Sequence, residues 1–149
     1  MMDKSVLSWQ VKTSEESDFY AASDEYMGTY TRKSGIDVRI RLWNNRLGSE
    51  AVEDLDNFSI KIAFQDKEDS VLQQYLTVKY EEQILAMNSY SDYALIVFPT
   101  KISLSGSTND GTSENKDNYV EFELLFQAPN DVRLKESDLK SLYLEVVPI

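Results

Sequence analysis

The feature that most constrains this chain is an alternation of apolar and polar residues with a period of two. Ile36, Val38, Ile40 and Leu42 alternate with Asp37, Arg39, Arg41 and Trp43, and Phe58, Ile60, Ile62 and Phe64 alternate with Ser59, Lys61, Ala63 and Gln65. Successive side chains of a strand point to opposite faces, so this pattern gives a strand one dry face and gives a helix none. It returns near the C-terminus, where Val120, Phe122, Leu124 and Phe126 oppose Glu121, Glu123 and Gln127, and where Leu142, Leu144 and Val146 oppose Tyr143 and Glu145. "QQYLTVKY" and "DYALIVFPTKISL" alternate less cleanly but are rich in the β-branched and aromatic residues that strands favour, with Pro99 marking a kink or an edge. Short strands separated by polar loops, with little helical periodicity, predict an all-β fold: an antiparallel immunoglobulin-like β-sandwich of about seven strands. Helix is expected only as single turns, at Glu136–Leu142 ("ESDLKSL") and within "SEAVEDLDN".

The first 35 residues read differently. Their aromatics are scattered among Ser, Thr, Glu and Asp without a sustained period. The expected organisation is an extended N-terminal arm over 1–35 and a β-sandwich domain over 36–149. Within the arm, "SVLSWQV" has the makings of a strand added to a sheet edge, its own or a partner's. Trp9, Tyr20, Tyr26 and Tyr30 are the arm's candidate anchors in an interface.

Composition removes several chemistries. The 149 residues include no cysteine and no histidine. Disulfides, thiolate ligands, Ser-His and Cys-His catalysis and nearly all zinc sites are thereby excluded. Against 15 basic residues stand 26 acidic ones, a formal charge of −11, which a nucleic acid or an anionic membrane would repel. No signal-peptide run and no stretch of transmembrane length is evident, so the expected location is a virion or the cytoplasm.

The most site-like stretch is "LSGSTNDGTSENKDN", Leu104 to Asn118, which gathers Asn109, Asp110, Glu114, Asn115 and Asp117 around Gly106 and Gly111. Placing Gly111 at the sixth position of an EF-hand loop puts Gly106 first and Asp117 twelfth, so the first carboxylate and the bidentate glutamate are both missing. The expectation is a glycine-punctuated connection in which Asn109 and Asp110 offer a contact surface, with no metal and no cofactor. The acidic residues Glu50, Glu53, Asp54, Asp56, Asp66, Glu68 and Asp69 lie in polar runs, without the burial that glycosidase-type carboxylates need. Trp43, on the nominally outward face beside Arg39 and Arg41, is expected in a subunit interface, the alternatives being a ring that covers a sheet edge, packs against the N-terminal arm or stacks on sugars. "WNNRLGSE" reads as a tight turn after a strand, and no phosphate-cradling glycine motif occurs.

Taken in order, the aromatic-studded polar start, "IDVRIRLWNN", "FSIKIAF", the long polar loop, "YVEFELLF" and the terminal "LYLEVV" resemble the immunoglobulin-like β-sandwich accessory proteins of tailed-bacteriophage particles, over residues 36–149. The resemblance implies a non-enzymatic structural protein that binds other protein subunits of an assembly, without nucleic acid or membrane. Two rival expectations are a carbohydrate-binding module, reading a glycan through Trp43 and the Leu104–Asn118 loop, and an acidic inhibitor that mimics DNA.

Overall fold

In the computed structural model, which describes residues 2–13, 18–22, 29–30, 36–64, 73–126 and 140–148, the period-two pattern becomes burial. Among the described residues eleven strands form: β1 (Leu7–Thr13), β2 (Tyr20–Ala22), β3 (Thr29–Tyr30), β4 (Ile36–Asn44), β5 (Phe58–Phe64), β6 (Leu76–Tyr80), β7 (Gln83–Ile84), β8 (Ala86–Ser89), β9 (Ala94–Val97), β10 (Tyr119–Phe126) and β11 (Lys140–Pro148). In β10 every second residue, Val120 to Phe126, is buried and the intervening ones are half-buried. The strands pair antiparallel into two sheets, β2-β1-β4-β10-β6-β7 and β3-β11-β5-β9-β8.

The two sheets pack into an all-β sandwich with one shared core. Ile40, Leu42, Val78 and Leu124 from the first sheet and Ile60, Ile62 and Leu144 from the second are all 0 % exposed and belong to a single cluster. Burying an aliphatic side chain of this kind is worth roughly 1.5–3 kcal/mol, so these seven positions carry much of the drive to fold.

The six strand segments read from residues 36–149 become six interior strands of the two sheets, β4, β10 and β6 in one and β11, β5 and β9 in the other, and β1, expected as a strand added at a sheet edge, is the seventh interior strand. The four additional strands, β2, β7, β3 and β8, are the sheet edges and have three, two, two and four residues. Short edges are a normal guard against edge-to-edge aggregation, and strands so short carry no readable period.

The extended arm expected over residues 1–35 is not what the described part of that segment forms. β1 pairs along its whole length with β4, from Leu7 opposite Asn44 to Thr13 opposite Val38, and β2 pairs with its other side. Trp9 and Val11 are 5 % and 2 % exposed in the common core, and β3 joins β11. The boundary at residue 35 is therefore not a boundary of the fold, because an indole buried at the period of its own strand is held by the domain rather than offered to a partner. The turn expected at Glu136–Leu142 falls partly outside the described residues, and its last three residues begin β11. In "SEAVEDLDN" the backbone is extended: Val52 bridges Asp3 and Leu55 bridges Leu104. No helix among the described residues is long and apolar enough to cross a membrane.

Candidate functional site

The loop from Leu104 to Asn118 is bolted to the end of the sandwich by three buried asparagines. Asn44 accepts from the Val6 amide at 3.0 Å and donates to the carbonyl oxygen of Glu53 at 2.9 Å. Asn45 donates to the carbonyl oxygens of Glu50 and Gly106, at 2.9 and 3.0 Å. Asn118 donates to those of Ser105 and Ser107, at 2.9 and 3.0 Å. With exposures of 0, 5 and 3 %, each amide satisfies backbone groups that would otherwise be buried without partners. Asn45 and Leu47 adopt φ of 58° and 61°, the left-handed geometry of the tight turn expected after β4.

Asn109 and Asp110 sit at the tip of this loop. Asn109 donates to the Asn45 carbonyl at 2.7 Å and accepts from the Gly111 amide at 2.8 Å, and Gly111 takes a φ of 79°. Asp110 Oδ1 accepts from the Thr112 backbone amide and hydroxyl and from the Asn115 side-chain Nδ2, at 3.1, 2.8 and 2.6 Å. These three donors converge on one oxygen of the carboxylate, and among the described residues no three acidic side chains converge. The Thr112 amide, then its hydroxyl and the Asn115 side chain hold the Asp110 carboxyl below its ordinary value of 3.8. A folded-state pKa below the unfolded one means that Asp110 adds stability above pH 3.8 and loses that addition as pH falls through its lower folded value. Asp110→Asn should erase this increment near neutral pH and flatten the acid limb of the stability curve, as read by urea melts between pH 2 and 6.

Trp43 is neither an interface residue nor a sugar platform. It is 0 % exposed, its Nε1 donates to Gln10 Oε1 at 2.7 Å, and its ring lies 4.5 Å from that of Tyr119, its cross-strand partner on β10. Beside this pair the Arg41 guanidinium lies 3.9 Å from the Phe19 ring centroid and 4.9 Å from that of Tyr119, while its Nε donates to Glu121 at 2.7 Å. The outer face of the first sheet is thus a layer of cation–π and ion-pair contacts that interleaves both signs of charge. Trp9 is in the core, on the opposite face of β1 from Gln10. Tyr20 and Tyr30 occupy β2 and β3, opposite Val11 and Lys140, and Tyr26 lies outside the described residues.

Of the acidic candidates, Asp54 accepts from the Gly106 amide at 2.8 Å and Asp56 from the Ser103 hydroxyl, both structural roles. Asp66, Glu68 and Asp69 lie outside the described residues. A groove of about 700 Å³ beside the first half of β10 carries Arg39, Lys79, Lys101 and Lys116 together with Glu81, Glu82, Asp117, Glu121 and Glu123 on its walls. The two signs interleave there, and a balance of one negative charge gives no strong field to select an ion.

The outer face of the second sheet has a different character. In register across it run Glu145, Lys61, Leu95 and Asn88, with Val147, Ser59, Val97 and Ala86 on one side. On the other side of that row stand Tyr143, Ala63 and, at the β8–β9 turn, Tyr93 and Tyr90, whose rings stack at 4.8 Å. Lys61 Nζ lies 4.9 Å from the Tyr93 ring and 3.8 Å from Glu145. Among the described residues, Lys61 and Glu145 are therefore the charges on the strands of this face and they neutralise each other, Asp92 stands at the β8–β9 turn, and the other outward side chains of these strands are tyrosine, aliphatic or uncharged polar. In a chain at −11, strands without net charge on this face and with partly exposed tyrosines have the composition of a contact surface.

Sequence reasoning missed this face. Its signal was present: Leu85 to Val97 holds a single charged residue, Asp92, in a chain that is 28 % charged. No family model, curated protein or solved structure matches this chain.

Proposed function

We propose that this protein is a non-enzymatic structural subunit, which binds neighbouring protein subunits of an assembly through the outer face of the β11-β5-β9-β8 half of its second sheet. The observation that carries the proposal is the neutrality of that face in an acidic chain: copies and partners meet there without the repulsion they would suffer elsewhere. Tyrosine supplies large contact area at low cost in side-chain entropy, and the flat strand layer beneath it is rigid. The tailed-phage particle that the strand pattern resembles is the kind of assembly this reading has in view. The glycan reading rested on Trp43 and the Leu104–Asn118 loop, and with the Trp43 ring buried it has lost its aromatic platform. A DNA mimic needs carboxylates alone on one face, whereas Arg39 and Arg41 are interleaved with Glu121 on one sheet and Lys61 neutralises Glu145 on the other.

Leu95→Glu tests the proposal by planting a charge at the centre of the face without touching the core. Expressed in the host that encodes it, the wild-type chain should co-sediment with a particle fraction at fixed stoichiometry. The variant should enter that fraction at least about tenfold less, the equivalent of roughly 1.4 kcal/mol. Leu47→Glu, at a 61 % exposed turn position away from the face, should enter normally. Equal incorporation of Leu95→Glu and wild type would sink the proposal.

A further inference from the structure

The edge of this same sheet has a property that its face does not explain. Strand β8 ends the sheet and pairs, among the described residues, with β9 alone. Natural edge strands are guarded by charge, proline or a bulge, or are too short to pair. β2, β3 and β7 are two or three residues long. β8 has four residues, and Ala86 to Ser91 contains no charge, no proline and no glycine. Of the exposed large apolar side chains, Tyr90, at 49 %, follows the end of β8 and Val97, at 40 %, stands opposite Ala86 on β9.

We infer that β8 is the twofold interface of a homodimer, pairing antiparallel with β8 of a second copy so that Asn88 faces itself across the axis. The register follows from the hydrogen bonding. The Tyr90 amide donates to the Tyr93 carbonyl at 2.8 Å, which turns the backbone of Tyr90, and by strand alternation that of Asn88 and Ala86, toward β9. The amides and carbonyls of Met87 and Ser89 then point out of the sheet. Of the registers that keep both inner faces on the same side, the one that pairs both of these residues within β8 sets Met87 opposite the second copy's Ser89 and Ser89 opposite its Met87, which closes four main-chain hydrogen bonds.

Side-chain chemistry fits that register. Asn88 sits on the axis at a close, non-hydrogen-bonded pair, and a primary amide carries both the donor and the acceptor that it needs to bond its own copy. Ala86 stands opposite Tyr90, a small residue against a large exposed one. Charge selects a second copy as a tolerable occupant here, because two chains at −11 can approach where the contact strand is neutral. The nearest charge along the strand, Asp92, lies four residues from the axis, so the two copies' Asp92 residues fall on opposite sides of it. The contact is small, and the dimer is accordingly of modest affinity.

The inference concerns the sheet edge and purified protein alone, so it stands or falls separately from the assembly proposal. Sedimentation velocity of the wild-type chain over a wide concentration range should show a reversible monomer–dimer equilibrium. Asn88→Lys sets like charges against each other on the axis and should abolish it, with an unchanged β circular-dichroism spectrum. The chain has no cysteine, so Asn88→Cys gives a second readout. The Cα separation of a non-hydrogen-bonded antiparallel pair lies within disulfide range, and mild oxidation should yield covalent dimer at least about tenfold faster than Ser49→Cys, an exposed turn position. A wild-type chain that stays monomeric at every concentration, with Asn88→Cys no faster than Ser49→Cys, would overturn the inference. So would a dimer that Asn88→Lys leaves intact.

Discussion

Trp43→Ala should lower the stability of the fold by about 3–5 kcal/mol, as read from the urea midpoint of the purified chain, whatever ligand is offered. The loss has two parts. The indole is fully buried against Tyr119, so its removal leaves a cavity between β4 and β10. Its Nε1 also satisfies Gln10 Oε1, and Gln10 is only 7 % exposed, so the alanine variant strands a buried acceptor at a further cost of about 1–3 kcal/mol if no water reaches it. Trp43→Phe keeps most of the packing and loses the hydrogen bond, and should fall between wild type and alanine. A loss below about 1 kcal/mol for Trp43→Ala would mean that the ring is not held as described.

Gly106→Ala should be nearly as damaging, at about 2–3 kcal/mol, for a reason of space alone. A Cβ built at Gly106 would lie 2.0 Å from the Val52 carbonyl oxygen, a backbone atom that cannot swing aside. Val52 donates to the Gly106 carbonyl at 2.8 Å, and the Gly106 amide donates to Asp54, so both sides of the contact are tied. Separating them breaks the bonds that hold the 104–118 loop to the 50–56 segment. Hydrogen exchange of the Val52 amide should rise with the loss of stability, and exchange in β10 should follow only through global unfolding. Gly111→Ala meets a different obstacle, a φ of 79°, and its nearest contact is the Leu47 side chain, which can move.

The contrast between Trp43 and Leu42 shows how far alternation carries. Parity assigns Leu42 to the inner face and Trp43 to the outer one, and that assignment holds. Parity does not say whether an outer face is wet. Trp43 is dry because Tyr119, 76 residues later in the chain, and Gln10 on β1 close over it, and neither meeting can be counted along the sequence. Trp9 failed in the opposite way. Its strand alternates as β4 does, but polar neighbours on its C-terminal side made it read as part of an arm. Asn44, Asn45 and Asn118 have the residue type of turns, yet Asn44 and Asn45 hold carbonyls of a loop some 60 residues distant, and Asn118 ties that loop back on itself through Ser105 and Ser107. Tyr90, Tyr93 and Tyr143 were hidden differently, since what marks their face is a scarcity of charge rather than the presence of any motif.

The central place of β4 bears on how the chain is made. Its partner β10 emerges from the ribosome long after β4 itself, since the Arg41–Glu121 contact between them spans 80 residues. Until then the β10 side of β4 is bare, and Ile40 and Leu42 have no opposite layer complete enough to cover them. β11, which closes the second sheet against β5, arrives later still. Pairings of such long range are slow to form and leave apolar strands exposed in the interim. Nascent chains of this protein therefore depend on being finished before they are crowded, and a ribosome that stalls ahead of Tyr119 releases two unclosed sheets rather than a smaller domain.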